Sequence, residues 1–551
     1  MKDFSKEIRA YALRNAIEFG KADAGKILPK LFQHGLDKKD IKKVMLDVVK
    51  IVKEINSLKK EEREEEFSKV EKVVKVREEK GHELPELSNA GKNMVFRLAP
   101  FPSGALHIGN AKTYLLNALY AEKYNARTLL IMDDTIGSEE KPISPEAYKL
   151  IEEAFQWLKV NYEKPIIYKS DRLEEYYYYA KQLIEKGKAY VCKCPQEELR
   201  KNRAGGISCK HREVHQLVQL KEWEKMFDYK EGEAVLRLKT DMRHPNPAFR
   251  DRVLFKISDR KHPRVGNKYR VWPTLEMSWA VDDYLLGITH IIRGNDLMIE
   301  TDMEKYLWDI FGWKHPETIH TGLVKLEGIE GAKLSKSKAQ KEVKSGEFTG
   351  WDDPRTWSIQ SLARRGISAE AVREFIKEIG LNRQDITIPV ESLYAINRKN
   401  IDSISNRYSF VQDAIEIKID LNPGIKEVEV PIHPDKTKKR KIKIKETIFV
   451  SGKDYKNLKG KKIRLLHLFN IKLDKTSEVK SIENEDIPKI NWVSEGVKAK
   501  VLMPDGKWIE GLAEKAIKDL KEGEVIQFER NFFCRFDSVK KGVYEFWYSH
   551  K

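Results

Sequence analysis

An alternation of strand-like and helical segments constrains the fold of this chain more than any other feature of its sequence. Residues 94–99 and 126–132 are apolar runs typical of buried strands, and residues 113–123 between them have helical spacing. A third strand-like run, 166–168, precedes a helical stretch at 171–186. This order indicates a parallel sheet with helices on its faces. Ligands of such sheets bind beyond the carboxyl ends of the strands, so we expect functional residues there.

The loop after the first strand carries the first chemical motif. Residues 102–110 read Pro-Ser-Gly-Ala-Leu-His-Ile-Gly-Asn. Gly109 allows a flat base or a phosphate to approach the backbone, and the following helix offers N–H groups and a positive dipole. His107 can donate hydrogen bonds to phosphate oxygens in a transition state. The alternative interpretation is that His107 only caps the helix.

A second motif lies far along the chain, where residues 333–337 read Lys-Leu-Ser-Lys-Ser. Lys333 and Lys336 could reach a leaving pyrophosphate in the transition state, and Ser335 could add a hydroxyl donor. The alternative is an ordinary basic surface loop. If the two motifs hold one nucleoside triphosphate from opposite sides of a cleft, they indicate nucleotidyl transfer.

Length and composition limit the class of protein. A chain of 551 residues is too long for one core, so several domains are expected. The net charge of +17 favours a polyanionic partner such as nucleic acid, although a heavily solvated lysine-rich surface is equally compatible with it. No apolar run approaches the roughly 20 residues that span a bilayer. The start of the sequence lacks the apolar core of a signal peptide, so we expect a cytoplasmic location without membrane contact.

Three of the four cysteines cluster in one segment and indicate a metal site rather than disulfides. The candidate ligands are Cys192, Cys194, Cys209 and His211. Three soft thiolates and an imidazole suit a tetrahedral, structural zinc ion. The alternative is a set of free cysteines, with His215 as a spare imidazole.

The rest of the chain divides by pattern. Residues 1 to about 85 show helical spacing, the segment from 192 to about 263 breaks the strand–helix rhythm and looks inserted, and residues 270–279 read as strand-like. After about residue 404, short alternating runs indicate an all-β region of small barrels. Residues 503–508 read as a hairpin turn within it.

Together the two motifs resemble those of class I aminoacyl-tRNA synthetases. His-Ile-Gly-Asn stands for the His-Ile-Gly-His signature and Lys-Leu-Ser-Lys-Ser for Lys-Met-Ser-Lys-Ser. The resemblance runs from about residue 90 to the C-terminus. It is narrowed to archaeal-type glutamyl-tRNA synthetases, within the glutamyl and glutaminyl subgroup, by residues 97–100, 132–135, 281–290, 350–355 and 523–530.

The resemblance implies a two-step reaction. Glutamate attacks the α-phosphate of ATP, which is bound with Mg²⁺, and the glutamyl group then passes to the terminal adenosine of tRNA(Glu). Catalysis would consist mostly of positioning and charge stabilisation. The implied catalytic residues are His107, Asn110, Lys333, Ser335 and Lys336, and the implied ATP-binding residues are Pro102, Ser103, Gly104, His107, Gly109 and Lys336.

The amino-acid pocket follows from the same resemblance. Arg97 and Arg293 match positions that contact the amino acid, and Asp133 matches the residue that holds its ammonium group. A glutamate side chain needs a fixed cation, which the fork of an arginine supplies. The alternative for either arginine is a structural ion pair.

The sequence departs from the family pattern near the active site, at Phe101, Asn110, Leu275, Glu276 and residues 136–137. Two other functions therefore stay open, a glutaminyl-tRNA synthetase and a non-catalytic tRNA-binding paralogue. Charging of tRNA(Gln) beside tRNA(Glu) is also left open by the sequence.

We expect a multidomain protein with an α/β Rossmann-like catalytic core. The expected parts are an N-terminal helical extension at 1–90, a first catalytic half at 91–190, an inserted acceptor-binding domain with the zinc site at 191–266, a second catalytic half at 267–332, the lysine-rich loop with a helical connector at 333–403, and β-barrel anticodon-binding domains at 404–551.

Overall fold

The structure is a computed structural model, which describes residues 3–37, 40–74, 83–137, 142–329, 336–421 and 426–551. The chain forms two compact units, Met1–Glu83 and Leu84–Lys551.

The first unit is a set of helices around its own apolar core. Its helices are α1 (Ser5–Phe19), α2 (Ala24–Leu31), α3 (Ile41–Ser57) and α4 (Lys60–Val70). The apolar residues that recur at helical spacing in α3 are all buried, namely Val44, Val48, Val52 and Ile55. Arg63 donates hydrogen bonds to the carbonyl oxygens of Gly20 and Ile55 at 2.7 and 3.1 Å. A cation of α4 therefore caps the C-terminal ends of α1 and α3.

The second unit begins with the predicted alternation. Its first elements are β1 (Val95–Leu98), α5 (Ile108–Lys123), β2 (Arg127–Met132), α6 (Pro145–Trp157), β3 (Glu163–Tyr168) and α7 (Leu173–Glu185). Helix α6 begins at Pro145 directly after Ser144, a position that suits proline because its fixed φ fits the first turn. Helix α5 begins before the predicted residue 113, because its first turn already belongs to the histidine motif.

A separate antiparallel sheet interrupts this rhythm. The elements of the insertion are β4 (Ala189–Cys192), α8 (Gln196–Gly205), α9 (Gln216–Met226), β5 (Val235–Leu238), β6 (Val253–Ile257) and β7 (Val271–Pro273). The four strands pair in the order β4-β5-β6-β7. The predicted break in the pattern after residue 192 therefore marks a different sheet.

The strand-like prediction for residues 270–279 is wrong beyond Pro273. The chain turns at Thr274 and enters a helix, α10 (Leu275–Leu285). Residues Met277, Trp279, Ala280 and Val281 of this helix are all buried. Residues 276–283 are buried on every side of this helix, so its short apolar run shows no helical period and cannot be told from a strand.

Two later strands, β8 (His290–Gly294) and β9 (Glu317–Thr321), complete the core sheet, and helix α11 (Met298–Phe311) lies between them in the chain. Strand β10 (Val324–Glu327) and helix α12 (Lys336–Lys344) follow. The five core strands are parallel and lie in the order β3-β2-β1-β8-β9. The expected parallel sheet with helices is therefore confirmed, and its topological switch point lies between β1 and β8.

The sheet opens at that switch point. β1 pairs with β8 at Phe96 and His290 and at no further position of either strand, all of whose residues are described. Beyond this rung the side chain of Asn117 on α5 takes over. Its amide nitrogen donates to the Ile292 carbonyl at 2.8 Å, and its oxygen accepts from the Ile292 N–H at 3.1 Å. One side chain thus satisfies backbone groups that a neighbouring strand would otherwise bind.

A helical connector leads from the core to the C-terminal sheets. Its elements are α13 (Ile359–Arg364), α14 (Ala369–Ile379), β11 (Ile386–Pro389) and α15 (Val390–Ile401). β11 pairs with β10 in parallel, so the connector also braces the strand that precedes the lysine-rich loop.

The C-terminal region is built from two seven-stranded sheets and a hairpin, with the single short helix α16 among its described residues. Its elements are β12 (Arg407–Tyr408), β13 (Phe410–Gln412), β14 (Ile415–Asp420), β15 (Glu427–Pro431), β16 (Lys439–Lys443), β17 (Thr447–Val450), α16 (Gly452–Leu458), β18 (Lys462–Leu465), β19 (Asn470–Lys472), β20 (Thr476–Ser481), β21 (Lys489–Ile490), β22 (Trp492–Val493), β23 (Gly496–Leu502), β24 (Trp508–Glu514), β25 (Val525–Phe528), β26 (Phe532–Lys540) and β27 (Val543–His550).

These strands pair as β12-β25-β26-β27-β23-β24-β13 in one sheet and β21-β18-β19-β20-β14-β17-β22 in the other. The hairpin predicted at 503–508 joins β23 to β24. The all-β prediction for this region is confirmed. Among the described helices, none is both long and apolar enough to cross a membrane.

Two arginines join the connector to the last two strands. Arg364 donates to both carboxylate oxygens of Asp537, each at 2.8 Å. Arg365 is fully buried and donates to the carbonyl oxygens of Tyr548 and Ser549 at 3.1 and 3.0 Å. The first C-terminal sheet is therefore anchored on the connector by buried, charge-assisted hydrogen bonds.

A buried lysine ties α5 to the end of β9. The ammonium of Lys112 donates to the Thr321 hydroxyl at 2.8 Å and to the Gly322 carbonyl at 2.7 Å. Burial lowers the pKa of Lys112 to about 8, although Asp385 opposes this. In the unfolded chain the same amine has a pKa of about 10.4.

We predict a pH-dependent contribution of Lys112 to stability. Between pH 8 and about 10.4 the unfolded chain binds more protons at this residue than the folded chain, so the free energy of unfolding rises with pH in this window. Relative to a Lys112→Met variant, the wild type should gain up to about 1.4 kcal/mol per pH unit there, and nothing below the window. Urea unfolding at several pH values measures this difference. A variant of the exposed Lys149 is the control, and equal slopes in wild type and Lys112→Met would contradict the assignment.

Candidate active site

A cavity of about 750 Å³ opens where β1, β2 and β8 end. Arg97 of β1, Asp133 after β2 and Arg293 of β8 all line it. Gly109 and Asn110, in the first turn of α5, line another part of the same cavity. The position is the one expected for a ligand at the switch point of a parallel sheet.

His107 lies at the N-terminal cap of α5. Its Nδ1 accepts a hydrogen bond from the Asn110 N–H at 3.3 Å. A neutral ring in this state carries its proton on Nε2, which makes that nitrogen a donor. A Cβ on Gly109 would lie 3.1 Å from the His107 ring, so glycine at this position leaves room for the ring. The capping role weighed as an alternative is thus present, and it is compatible with donation from Nε2.

The turn before His107 is held from behind. Gly104 has a φ of +151°, and a Cβ there would lie 2.3 Å from the Trp351 ring. The Ile359 N–H donates to the Leu106 carbonyl at 2.8 Å. Sequence reasoning missed this support, although Trp351 belongs to one of the segments that carried the resemblance.

Pro102 and Ser103, predicted to bind ATP, are both buried, and Ser103 also lines the cavity. The Pro102 carbonyl accepts a hydrogen bond from the Ser144 N–H at 2.9 Å, which ties the turn to the start of α6.

Part of the lysine-rich motif lies outside the described residues. This holds for Lys333 and Ser335, while Lys336 begins α12. Gln340, in the second turn of α12, lines the cavity together with Gly109 and Asn110. The helix that continues the second motif therefore reaches the same cavity as the first motif.

Arg97 is engaged with an acid of α10. Its Nε and one terminal nitrogen donate to the two carboxylate oxygens of Asp283 at 2.6 and 3.1 Å. Its guanidinium carbon lies 3.6 Å from the centre of the Trp279 ring. Among the described residues, no hydrogen bond uses the other terminal nitrogen of Arg97.

Arg293 is paired in a similar way. Its two terminal nitrogens donate to the Glu304 carboxylate at 2.6 and 3.1 Å, and one of them also to the Thr301 hydroxyl at 3.0 Å. Its Nε is buried and has no hydrogen-bond partner in the described part of the chain. The structural ion pair that was the alternative for each arginine is therefore formed, and each arginine keeps one nitrogen to which no hydrogen bond is found among the described residues.

Asp133 lines the cavity and is only 5% exposed. The ammonium of Lys169, which sequence reasoning did not single out, lies 2.9 Å from Asp133 Oδ1.

The wall toward the insertion is polar and was also missed. Arg252 donates to Glu276, and to Glu300 at 3.0 Å. Arg203, on α8, lines the cavity beside them. Sequence analysis noted Glu276 only as a departure from the family pattern. Its partner Arg252 could not be found from sequence, because Arg252 directly precedes β6 whereas Glu276 lies on α10.

The four predicted metal ligands converge. The ligand atoms of Cys192, Cys194, Cys209 and His211 lie within 4.8 Å of one another. A hydrogen bond from the neighbouring Cys192 thiol lowers the pKa of Cys209 to about 4, and burial raises that of Cys194 to about 11. The guanidinium of Arg237 lies 3.9 Å from two of the sulfurs, which suits a site with three anionic thiolates.

Comparison with known proteins agrees with this geometry. Residues 93–403 match the family model of the catalytic domain of "tRNA synthetases class I (E and Q)", and residues 405–491 and 489–537 match two models of the anti-codon binding domain of the same synthetases. The chain is 42% identical to a glutamate–tRNA ligase of Pyrococcus furiosus, over 98% of each chain. It is 41% identical to one of Pyrococcus horikoshii over 100% of each chain, and 40% identical to one of Archaeoglobus fulgidus over 97% of each chain.

Proposed function

The chain belongs to the class I tRNA synthetases for glutamate and glutamine, and from this premise we propose how its cavity works as a glutamate–tRNA ligase. Enzymes of this class use ATP with Mg²⁺ to activate an amino acid. Here glutamate attacks the α-phosphate of ATP to give glutamyl-adenylate and pyrophosphate, and the glutamyl group then passes from the adenylate to the 3′-terminal adenosine of tRNA(Glu), which releases AMP. The observation that carries the proposal is the cavity, in which two arginines and an aspartate lie at the strand ends and the histidine turn lies beside them.

ATP would bind along the turn before α5. Pro102, Ser103 and Gly104 shape this turn, and Gly109 lets the nucleotide approach the backbone. His107 Nε2, as a donor, would stabilise charge that develops on the phosphates. Asn110 takes the place of the second signature histidine and can donate through its side-chain amide.

The lysine-rich loop would supply the remaining positive charge. Lys333 and Lys336 would contact the pyrophosphate as it leaves, with Ser335 as a further donor. The approach of α12 to the cavity through Gln340 supports this role.

Glutamate would be held by its three charged groups. Asp133 would accept the α-ammonium. Arg293 and Arg97, which both line the cavity, would donate to the carboxylates, which favours glutamate over the neutral side chain of glutamine. The full-length relatives named glutamate–tRNA ligases support the same choice over a glutaminyl enzyme or a non-catalytic paralogue.

The rest of the chain would serve tRNA. We propose that residues 191–266 bind the acceptor end, that 267–332 complete the catalytic half begun at 91–190, and that 333–403 connect it to barrels at 404–551. The barrels would read the anticodon, as the two matched anticodon-binding models suggest. Charging of tRNA(Gln) besides tRNA(Glu) is a separate question for purified tRNAs. Because ribosomes use charged tRNA, we propose that the enzyme acts in the cytoplasm.

We propose that the cluster of Cys192, Cys194, Cys209 and His211 holds zinc. The donor set and its compactness fit this ion, which would brace the inserted sheet next to β4 and take no part in chemistry.

The zinc proposal predicts a metal content. The purified protein should carry about one zinc per chain by elemental analysis, and Cys194→Ala should lose it and raise the KM for tRNA more than that for ATP, because the brace of the insertion is gone. Cys534→Ala is the control, since Cys534 is a buried cysteine outside the cluster and its variant should keep the metal. Metal-free protein with unchanged unfolding temperature and tRNA charging would refute the proposal.

The catalytic proposal is tested by changing one lysine of the second motif. Lys336→Ala should slow glutamate-dependent, tRNA-dependent ATP–pyrophosphate exchange by about 10²-fold or more, because it removes charge that acts in the transition state. Lys344→Ala, at the exposed end of the same helix, should react like the wild type.

Parallel assays with glutamine identify the amino acid. Wild-type exchange with glutamine and not with glutamate would establish the glutaminyl alternative. Binding of tRNA without exchange for either amino acid would establish the non-catalytic one.

A further inference from the structure

A lysine beneath the amino-acid pocket has no role in the reaction as proposed above. Lys169 directly follows β3, and its side chain is fully buried. Its ammonium lies 2.9 Å from Asp133 Oδ1 and donates to the Ser278 hydroxyl at 2.8 Å. Burying an ammonium is costly unless the charge is paired, so this pairing is a strong constraint on the fold around Asp133.

The lysine also contacts Trp279. Its ammonium lies 3.4 Å from the centre of the indole ring, and the guanidinium of Arg97 lies 3.6 Å from the same centre. Both distances are close to van der Waals contact, so the two cations must lie on opposite faces of the ring. Trp279 is thus clamped between them by two cation–π contacts.

The result is a row of alternating groups under the pocket. Asp283 pairs with Arg97, Arg97 covers one face of Trp279, Lys169 covers the other face, and Lys169 pairs with Asp133. Arg97, Trp279 and Asp133 line the cavity, whereas Lys169 is not part of its lining. A ligand in the cavity therefore meets Asp133 but not the lysine behind it.

We propose that Lys169 is a positioning residue that pairs with one carboxylate oxygen of Asp133 and so fixes the second oxygen toward the α-ammonium of glutamate. This inference rests on the proposed function, because it assumes that Asp133 receives the ammonium of an amino acid. It assigns the selectivity for an α-amino group to a pair of residues rather than to Asp133 alone.

The second acid near Lys169, Asp282, is already paired with other residues. Burial lowers the pKa of Lys169, and Asp133 and Asp282 oppose this. Asp282, however, accepts hydrogen bonds from Arg172 at 2.8 Å and Tyr176 at 2.6 Å. The titratable groups that face Lys169 and Asp133 from neighbouring elements are Arg97 of β1, Tyr114 of α5, Arg172 and Tyr176 at α7, and Asp282 and Asp283 of α10.

Removal of the lysine should have a specific effect on glutamate. In Lys169→Met, the Asp133 carboxylate loses the cation that holds Oδ1, so its second oxygen is no longer fixed toward the ammonium. The KM for glutamate should therefore rise by about tenfold or more, while the KM for ATP changes little. Lys164→Met, an exposed lysine on β3, is the matched control.

A ligand without the amino group separates positioning from a merely structural effect. Glutarate lacks the α-amino group, so its inhibition constant should change by less than about twofold in Lys169→Met. Equal losses for glutamate and glutarate would overturn the proposal.

A double-mutant cycle tests whether Lys169 acts through Asp133. In an Asp133→Asn background, Lys169→Met should add almost nothing to the KM for glutamate, whereas independent effects would multiply and contradict the proposal. If Lys169→Met does not fold, Ser278→Ala removes one partner of the ammonium and should raise the KM for glutamate in the same direction, and an unchanged KM there would also contradict it. Wild-type protein that fails to activate glutamate would defeat the proposed function itself, whereas normal wild-type activity with an unaffected Lys169→Met defeats only this inference.

Discussion

The whole site depends on the early separation of two neighbouring strands. β1 and β8 share one rung, at Phe96 and His290, and then diverge. The side chain of Asn117 binds the backbone N–H and carbonyl of Ile292 that β1 does not pair with, so the gap leaves no unsatisfied backbone group at that residue. Because the gap lies at the switch point of the sheet, the side chains that follow the strand ends meet around one cavity.

The second constraint is the support behind the histidine turn. Trp351 packs where a side chain at position 104 would lie, and the chain from there to Ile359 binds the backbone of the turn. A few residues later, Arg364 and Arg365 bind the last strands of the C-terminal sheet. The turn that we propose to bind ATP and the region matched to anticodon-binding domains are therefore joined through a short stretch of the chain.

Sequence reasoning captured what short-range pattern can encode. The strand–loop–helix order, the cluster of the four predicted metal ligands and the all-β C-terminal region are all present in the structure, because spacing and periodicity define them. The assignment of α10 failed because residues 276–283 are buried on every side of the helix, so its apolar residues show no helical period. The acids that pair with Arg97 and Arg293, and Lys169 beside Asp133, come from distant parts of the chain, and no local signal connects such residues.

The anchoring of β27 has a practical consequence for anyone who expresses the protein. Ser549 and His550 are fully buried, and the carbonyl oxygens of Tyr548 and Ser549 hold the Arg365 guanidinium. Removal of these residues would leave the buried Arg365 guanidinium without its carbonyl partners. A purification tag at this end should therefore be added through a linker that keeps β27 intact.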